Sequence, residues 1–441
     1  MQEREGTGTG TGAPARLDRN FWWLVSGSFV SMLGDQFTLV ALPWLVLKLT
    51  GSALALGTVL MVMALPRAAF MLVGGAFVDR FSPHRVLVIA RAANAVFIGI
   101  LAAFVWTGAI QLWWLYLLAL GIGFATAFVY PAGSAILPQI VPAAKLTAAN
   151  GITMGLRTMS TFVGPALAGV VVALFAAPGI HAPGAVRVPD ATGLASAFTI
   201  DALSFLASIF SLLIIRVPAF QRHEGRPLAG VLRSIGDGVR EVWRDFPLRA
   251  FILYVGAVSF FVGGPLQVGL PVLADQRLDW GAAAYGALMS ASGAGIFVGS
   301  LLAGIGTRLF GKRLGLTVLV ADSVGGLIIA AFGFVHHTLV GIVMLFVWGI
   351  VGGFIQIALI TWIQRRVAPE MMGRTMSLLM FVFLGVGPLA AALGGVVLHV
   401  TGVTTLFVGA GLLLTGIALV SMLNPAIRSI RAADAKVQAA D

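Results

Sequence analysis

The chain has 441 residues, of which 59% are apolar and only 10% carry a formal charge. A soluble domain is about a quarter charged, so this composition, with a mean hydropathy of +0.98, excludes an ordinary globular enzyme or a disordered protein and indicates a protein of the lipid bilayer. A net charge of +11 would suggest a nucleic-acid partner if the basic residues clustered on one face. They are scattered between apolar segments, so no nucleic-acid partner is expected. The absence of cysteine excludes disulfides and thiolate sites.

The chain begins with a polar tail and continues as a series of apolar stretches. Residues 1–19 combine charges with a Gly/Thr-rich run, which predicts a disordered cytoplasmic tail. The later stretches are long enough for transmembrane helices and lack the apolar/polar alternation of barrel strands. We therefore predict an all-α integral membrane fold. Its twelve helices are expected at about 21–48, 53–78, 86–107, 112–137, 147–176, 195–216, 249–273, 282–306, 314–335, 339–362, 375–398 and 404–424.

A polar stretch at 217–248 divides the predicted helices six and six. Its apolar residues recur at helical spacing with arginines between them, which predicts a cytoplasmic amphipathic linker helix on the inner leaflet. The predicted organisation is an N-terminal six-helix half at 20–216, this linker, a C-terminal six-helix half at 249–424 and a cytoplasmic tail at 425–441.

A weak internal repeat supports two similar halves. Shifting the sequence by about half its length places Leu42-Pro43 on Leu270-Pro271, and Gly164-Pro165 falls on Gly387-Pro388 after a small slip. Pseudo-symmetric halves of this kind hold a solute site at the midplane and rock against each other.

The basic residues predict the orientation of the chain. Most of the 28 Lys and Arg residues fall on the side of the N-terminus, whereas Lys48, Arg187 and Arg277 fall on the opposite side. By the positive-inside rule, both termini are expected in the cytoplasm, with the protein as a multi-pass component of the inner (cytoplasmic) cell membrane.

The few ionisable residues within the predicted spans are candidates for function, because a charge inside a bilayer is costly. The rise of 1.5 Å per residue places all but two of them near the midplane of the N-terminal half; Asp322 lies in the other half, and Arg91 is near enough to the interface to reach water. For Asp35 we predict uptake and release of a proton beside an arginine partner. For the other acids and for Arg67 and Arg157, function and a structural ion pair that fixes helix register both stay open. The six residues are Asp35, Arg67, Arg91, Arg157, Asp201 and Asp322. All but Arg91 are candidates for a proton-coupling and substrate cavity, and Asp35, Arg67 and Arg157 are expected to face it.

The junction of the second and third spans carries Gly75, Asp79, Arg80 and Arg85. Glycine permits close helix approach, and the charged side chains can bond across helices or cap helix ends in one conformational state. The pattern resembles the major facilitator superfamily signature G-x-x-x-D-R followed by basic residues, with Pro and His replacing two of the latter. The resemblance implies a gating role at this junction.

Two further patterns resemble exporters of that superfamily. Span 5 is similar to their antiporter motif, with small residues replacing two glycines; its matching positions are Gly151, Ser160, Gly164, Pro165 and Gly169. The segments Gly34-Asp35, 41–47, 50–57 and 65–67 resemble the branch that contains the enterobactin exporter and macrolide efflux proteins. The resemblance covers nearly the whole chain beyond residue 19 and implies the superfamily fold and an export function.

Together these features predict a proton-coupled antiporter that exports a small amphiphilic molecule, such as a drug or siderophore, by rocker-switch alternating access. An importer or uniporter on the same scaffold stays open, as does a transport-inactive sensor or scaffold. An enzyme is disfavoured because no catalytic constellation is evident. The expected partners are a small-molecule substrate, protons and the lipid bilayer, with the chain as a monomer. No cofactor or metal is expected, since the six histidines form no plausible cluster.

Overall fold

The computed structural model describes most of the chain, although the tail at 1–19, the linker at 217–248 and the tail at 425–441 fall largely outside the described residues. The described ranges are 17–177, 188–217, 240, 243–310, 314–367 and 369–428. Only the backbone is described at 71–80, 247, 304–310, 426–427 and several positions between 369 and 384.

The described part of the chain consists of twelve long helical segments without a strand, which confirms the predicted fold class. The first six are α1 (Arg19–Thr50), α2 (Ala53–Arg80), α3 (Pro83–Trp106), α4 (Leu112–Ile140), α5 (Leu146–Leu174) and α6 (Ala191–Ile214). The second six are α7 (Phe246–Gly264, Pro265–Gly269 and Leu270–Arg277), α8 (Ala282–Phe310), α9 (Leu314–Phe332), α10 (Thr338–Arg366), α11 (Pro369–Thr401) and α12 (Val403–Ser421). Short helical turns occupy Ala143–Lys145 and Pro425–Arg428.

Local sequence explains where several helices end or change. At the end of α1, Gly51 takes φ 61° and donates its N–H to the Leu47 carbonyl, a conformation that glycine adopts without a steric penalty. In α7 the stretch Pro265–Gly269 is π-helical. Pro265 and Pro271 lack the N–H that a regular α-helix needs there, which accounts for the irregular turn.

Eleven of the described helices are long and apolar enough to cross a membrane. In α11 the apolar stretch found is the shorter Gly385–Thr401, although the whole helix has 33 residues. Helices can cross a bilayer because each satisfies its own backbone hydrogen bonds.

The packing of the first six helices repeats in the second six. Helix α1 packs on α5 and α6, as α7 packs on α11 and α12. Likewise α2 packs on α4 and α3 on α6, as α8 packs on α10 and α9 on α12. Between the two groups, α2 packs on α11 and α5 packs on α8. Each group therefore meets the other through an equivalent pair of helices.

Glycines set these two contacts between the groups. A Cβ atom at Gly57 in α2 would lie 3.2 Å from Gly395 Cα in α11, and one at Gly169 in α5 would lie 3.0 Å from Gly286 Cα in α8. In lipid, small residues of this kind let helix backbones approach closely. Gly57 and Gly286 lie near the start of their helices, whereas Gly169 and Gly395 lie near the end of theirs. All four therefore share one end of the bundle, where the two groups close against each other.

An ion pair joins the groups at that same end. Lys48, near the end of α1, lies 2.6 Å from the Asp275 carboxylate near the end of α7. We refer to the end of the bundle that carries this ion pair and the two glycine pairs as the closed end.

Candidate functional site

Asp35 lies near the middle of α1, and its side chain is exposed although protein surrounds it. It therefore lines an internal space of the bundle. The charges of Arg67 on α2 and Arg91 on α3 act on its carboxyl group. The two ion pairs found among the described residues do not include Asp35, so its carboxylate interacts with these arginines across a longer distance.

Two arginines share this internal space with Asp35. The side chains of Arg67 and Arg157 are exposed, and their charges act on each other. The Cζ atom of Arg157 lies 5.2 Å from the centre of the Tyr130 ring on α4, within the range of a cation–π contact. The structure thus brings together the three residues that were predicted to face a central cavity.

Asp201 is close to this group but does not line the internal space. It is fully buried between α1 and α6, where the Thr38 hydroxyl donates to its carboxylate. The Ser204 hydroxyl donates to the Asp201 backbone carbonyl at 2.7 Å. A Cβ atom at Gly34 would lie 2.6 Å from Asp201 Oδ1, so glycine is needed for α1 to pack on this carboxylate. The prediction that Asp201 lines a cavity with Asp35 is therefore wrong in its geometry, while its role stays a prediction.

Arg91 is buried rather than extended to the membrane surface. Only 3% of the residue is exposed, and its guanidinium donates to the hydroxyls of Ser208 on α6 and Ser28 on α1. The expectation that Arg91 reaches water is wrong, because two neighbouring helices supply hydroxyl acceptors inside the bundle. Its position indicates that it holds α1, α3 and α6 together.

Asp322 belongs to a separate cluster in the second group of helices. It is buried, and the Tyr254 hydroxyl on α7 donates to its carboxylate at 2.6 Å. This contact joins α7 and α9 as the Arg91–Ser28 contact joins α1 and α3. Asp322 therefore does not meet Asp35 and the exposed arginines.

Two glutamines that sequence reasoning missed lie beside the Gly-Pro pairs of the repeat. A Cβ atom at Gly164 would lie 2.4 Å from Gln36 Cγ, and one at Gly387 would lie 3.4 Å from Gln267 Nε2. Each half therefore places an amide of its first helix against its fifth. The sequence offered one signal for these two residues, because each is an uncharged polar residue within an apolar span.

The junction predicted to gate the protein is only partly described. Gly75, Asp79 and Arg80 lie in the last turns of α2, and their side chains are outside the described residues. Arg85 is exposed in the first turn of α3. Its role and theirs stay predictions.

The antiporter-like positions of α5 differ in their surroundings. Gly164, Pro165 and Gly169 are buried, and Gly169 lies in the contact with α8. Ser160 is buried and donates its hydroxyl to the Arg157 carbonyl at 2.7 Å. A Cβ atom at Gly151 would meet no neighbour within 4 Å. The small residues of α5 therefore lie in close helix contacts near Gly164 and Gly169, but not at Gly151.

Within the part of the chain that the structure describes, no group of three His, Asp or Glu side chains could hold a metal ion. The charged groups that the described residues bring together inside the bundle include the Asp35 carboxylate and the guanidiniums of Arg67 and Arg157. Such a set can bind charged groups of a small molecule and exchange a proton.

Comparison with known proteins identifies relatives across nearly the whole chain. The profile of the Major Facilitator Superfamily matches residues 24–392. The chain is 23% identical to macrolide efflux protein A of Streptococcus pyogenes, over 94% of this chain and 98% of that protein. It is 26% identical to the multidrug efflux pump Tap of Mycobacterium bovis, over 92% of this chain and 94% of that one.

Solved structures share the fold. The nucleoside transporter NupG superimposes with a TM-score of 0.70 at 16% identity, covering 91% of this chain and 98% of that one. A bacterial homologue of the iron transporter ferroportin in an inward-facing state gives a TM-score of 0.67 at 16% identity, with coverage of 91% and 98%. At this level of sequence identity, the similarity shows a shared arrangement of helices and does not indicate a shared substrate.

Proposed function

Since the chain belongs to the major facilitator superfamily, and is therefore a membrane transporter and not an enzyme, we propose that it is a proton-coupled exporter of small amphiphilic molecules. Export is favoured by the relatives named as efflux pumps. The drug or siderophore that it carries, and the exchange for protons, belong to this proposal.

The observation that carries the proposal is the exposed carboxyl of Asp35 inside the bundle, with the charges of Arg67 and Arg91 acting on it. A carboxyl in such a space gains or loses a charge with one proton, and the change alters its interaction with nearby arginines and with a bound molecule. A substrate that competes with the proton for Asp35 would exchange for it. This competition is the physical basis of antiport.

The contacts of the closed end support alternating access as the mechanism of this proposal. By the positive-inside rule, this end is expected outside the cell, so in this conformation the internal space would open toward the cytoplasm. Outward opening requires that the Lys48–Asp275 ion pair break and that both glycine pairs separate. Gly75, Asp79, Arg80 and Arg85 would stabilise the opposite end when it closes, as the superfamily signature implies.

The same scaffold also serves an importer or a uniporter, because rocking of two halves carries no direction of its own. A transport-inactive sensor or assembly scaffold would not need charged groups that face an internal space. We therefore favour export coupled to protons over these alternatives.

The test measures accumulation of dyes, macrolides and siderophores in an efflux-deficient bacterium. Cells expressing the wild type should accumulate less of at least one compound than cells expressing an equal amount of Asp35→Asn. Asp35→Glu should retain part of the effect, because it keeps the carboxyl. Asp18→Asn is the matched control, since Asp18 precedes α1 and its side chain makes no capping hydrogen bond. Full export by Asp35→Asn would refute the role of Asp35.

A further inference from the structure

The charged groups at the level of Asp35 do not balance. Within the first six helices, Asp35 and Asp201 supply two carboxyls, whereas Arg67, Arg91 and Arg157 supply three guanidiniums. Arginine is effectively always protonated in proteins. An excess of at least one positive charge therefore stays inside the bundle even when both carboxyls are ionised, and this excess attracts an anionic group that enters the internal space.

The position of Arg157 indicates where an anion would bind. Its guanidinium carbon lies 5.2 Å from the centre of the Tyr130 ring, and a cation–π contact of this kind leaves the N–H groups of the guanidinium free to bind an acceptor. Within the described part of the chain, the side chains of Arg157 and Arg67 make no hydrogen bond and no ion pair, although both are exposed to the internal space. The edge of a guanidinium matches the two oxygens of a carboxylate.

Arg91 provides the contrast within the same layer. Its terminal nitrogens already donate to the hydroxyls of Ser208 and Ser28, and the residue is buried. Arg91 is thus a structural cation whose terminal nitrogens are engaged by the protein, whereas its buried Nε has no hydrogen-bond partner among the described residues. The free donors that face the internal space belong to Arg67 and Arg157.

From this asymmetry we infer that the transported molecule is a zwitterionic amphiphile, whose carboxylate or other oxyanion binds Arg157 and Arg67 and whose cationic group meets Asp35. The part played by Asp35 rests on the proposed function, because the cationic group is what competes with the proton. The oxyanion requirement rests on the arginines alone. An amphiphile with only a positive charge would leave their excess charge uncompensated.

The test uses two dyes that differ only in this charge. Rhodamine B carries a carboxylate and a cationic xanthene, whereas its ethyl ester has nearly the same shape and lacks the carboxylate. Their equilibrium binding to the full-length protein in lipid nanodiscs is measured by fluorescence polarisation. Wild-type protein should bind rhodamine B about ten- to a hundredfold more tightly than the ester, the range expected for a hydrogen-bonded charge pair.

Substitution should remove this preference at one position and preserve it at another. Arg157→Gln should bind both dyes with the affinity that the wild type shows for the ester. Arg216→Gln makes the same charge change at the exposed end of α6 and should keep the full preference. Arg67→Gln provides a second variant if Arg157→Gln fails to fold, as judged by its thermal unfolding.

The outcomes separate this inference from the proposed function. Absence of rhodamine B binding, equal binding of the ester to the wild type, or an intact preference in a folded Arg157→Gln protein would each overturn the inference, while proton-coupled export could still hold. Conversely, Asp35→Asn should still prefer rhodamine B, because its arginines are intact. A preference for rhodamine B in a protein that exports nothing would refute the proposed function and support the oxyanion site.

Discussion

The contact of α5 with α8 at the closed end predicts the effect of a single added methyl group at Gly286. A Cβ atom there would lie 2.3 Å from the Pro165 carbonyl oxygen and 3.0 Å from Gly169 N, and both are backbone atoms that cannot rotate away. A carbon–oxygen contact is normally about 3.3 Å or longer, so Gly286→Ala forces the helices apart by about 1 Å. Overpacking of this size costs about 1–3 kcal/mol.

Because the contact exists only while the closed end is closed, this cost shifts the conformational equilibrium toward opening by about five- to 150-fold. The chain has no cysteine, so spin labels attach only to cysteines that are introduced. Labels at Thr107→Cys and His336→Cys lie in loops at the closed end, one in each group of helices, and report the distance between the groups. Electron–electron double resonance should show a larger population at longer distance in Gly286→Ala. Gly416→Ala is the control, since a Cβ atom there meets no neighbour within 4 Å. An unchanged distance distribution in Gly286→Ala would refute the close-contact argument.

Two further predictions concern single polar contacts. Lys48→Gln should also raise the population at the longer spin-label distance, through a free-energy shift of only up to about 1 kcal/mol, because the paired side chains are 25% and 28% exposed. The double variant Lys48→Asp with Asp275→Lys should restore closure, and a double variant that stays open would argue against the ion pair. Tyr254→Phe removes the hydroxyl that donates to buried Asp322, so the free energy of unfolding should fall by about 1–3 kcal/mol. The matched control is Tyr285→Phe, a buried tyrosine without a hydrogen bond in the described part of the chain, and an equal loss in both proteins, measured by thermal unfolding, would contradict this role.

Hydropathy was sufficient to predict the helices because the bilayer imposes a minimum length of apolar chain. The predicted first span at 21–48 lies within α1, and the fourth at 112–137 begins with α4. The π-helical stretch at Pro265–Gly269 was not predicted. It depends on local backbone hydrogen bonds in α7, which leave no trace in the apolar character of the segment.

The depth of the charged residues followed from helical rise, whereas their direction did not. The side chains of Asp35, Arg67 and Arg157 are exposed inside the bundle, whereas Asp201 and Arg91 lie buried between helices. The difference comes from hydroxyls on neighbouring helices that bind the latter two. Hydropathy does not fix helix rotation, so a sequence cannot show which polar side chains meet across a helix contact.

The internal repeat carried more structural information than its few matches suggested. Gly164-Pro165 and Gly387-Pro388 both lie beside a glutamine of the first helix of their half. Gly57 and Gly286 lie at equivalent places in the second helix of each half, and both lie in contacts between the groups, each against a glycine of the other group. The partners of these glycines required coordinates, because the repeat relates equivalent positions and not the pairs that touch.

Proton movement during substrate exchange tests the role of Asp35 most directly. Proteoliposomes that contain a pH-sensitive dye are loaded with the panel compound that showed the largest effect in cells, and proton flux is followed as the compound crosses the membrane. Wild-type protein and Asp18→Asn should move protons opposite to the compound, whereas Asp35→Asn should abolish proton movement and Asp35→Glu retain part of it. Unaltered proton flux in Asp35→Asn, or compound transport by the wild type without proton movement, would contradict the proposed coupling.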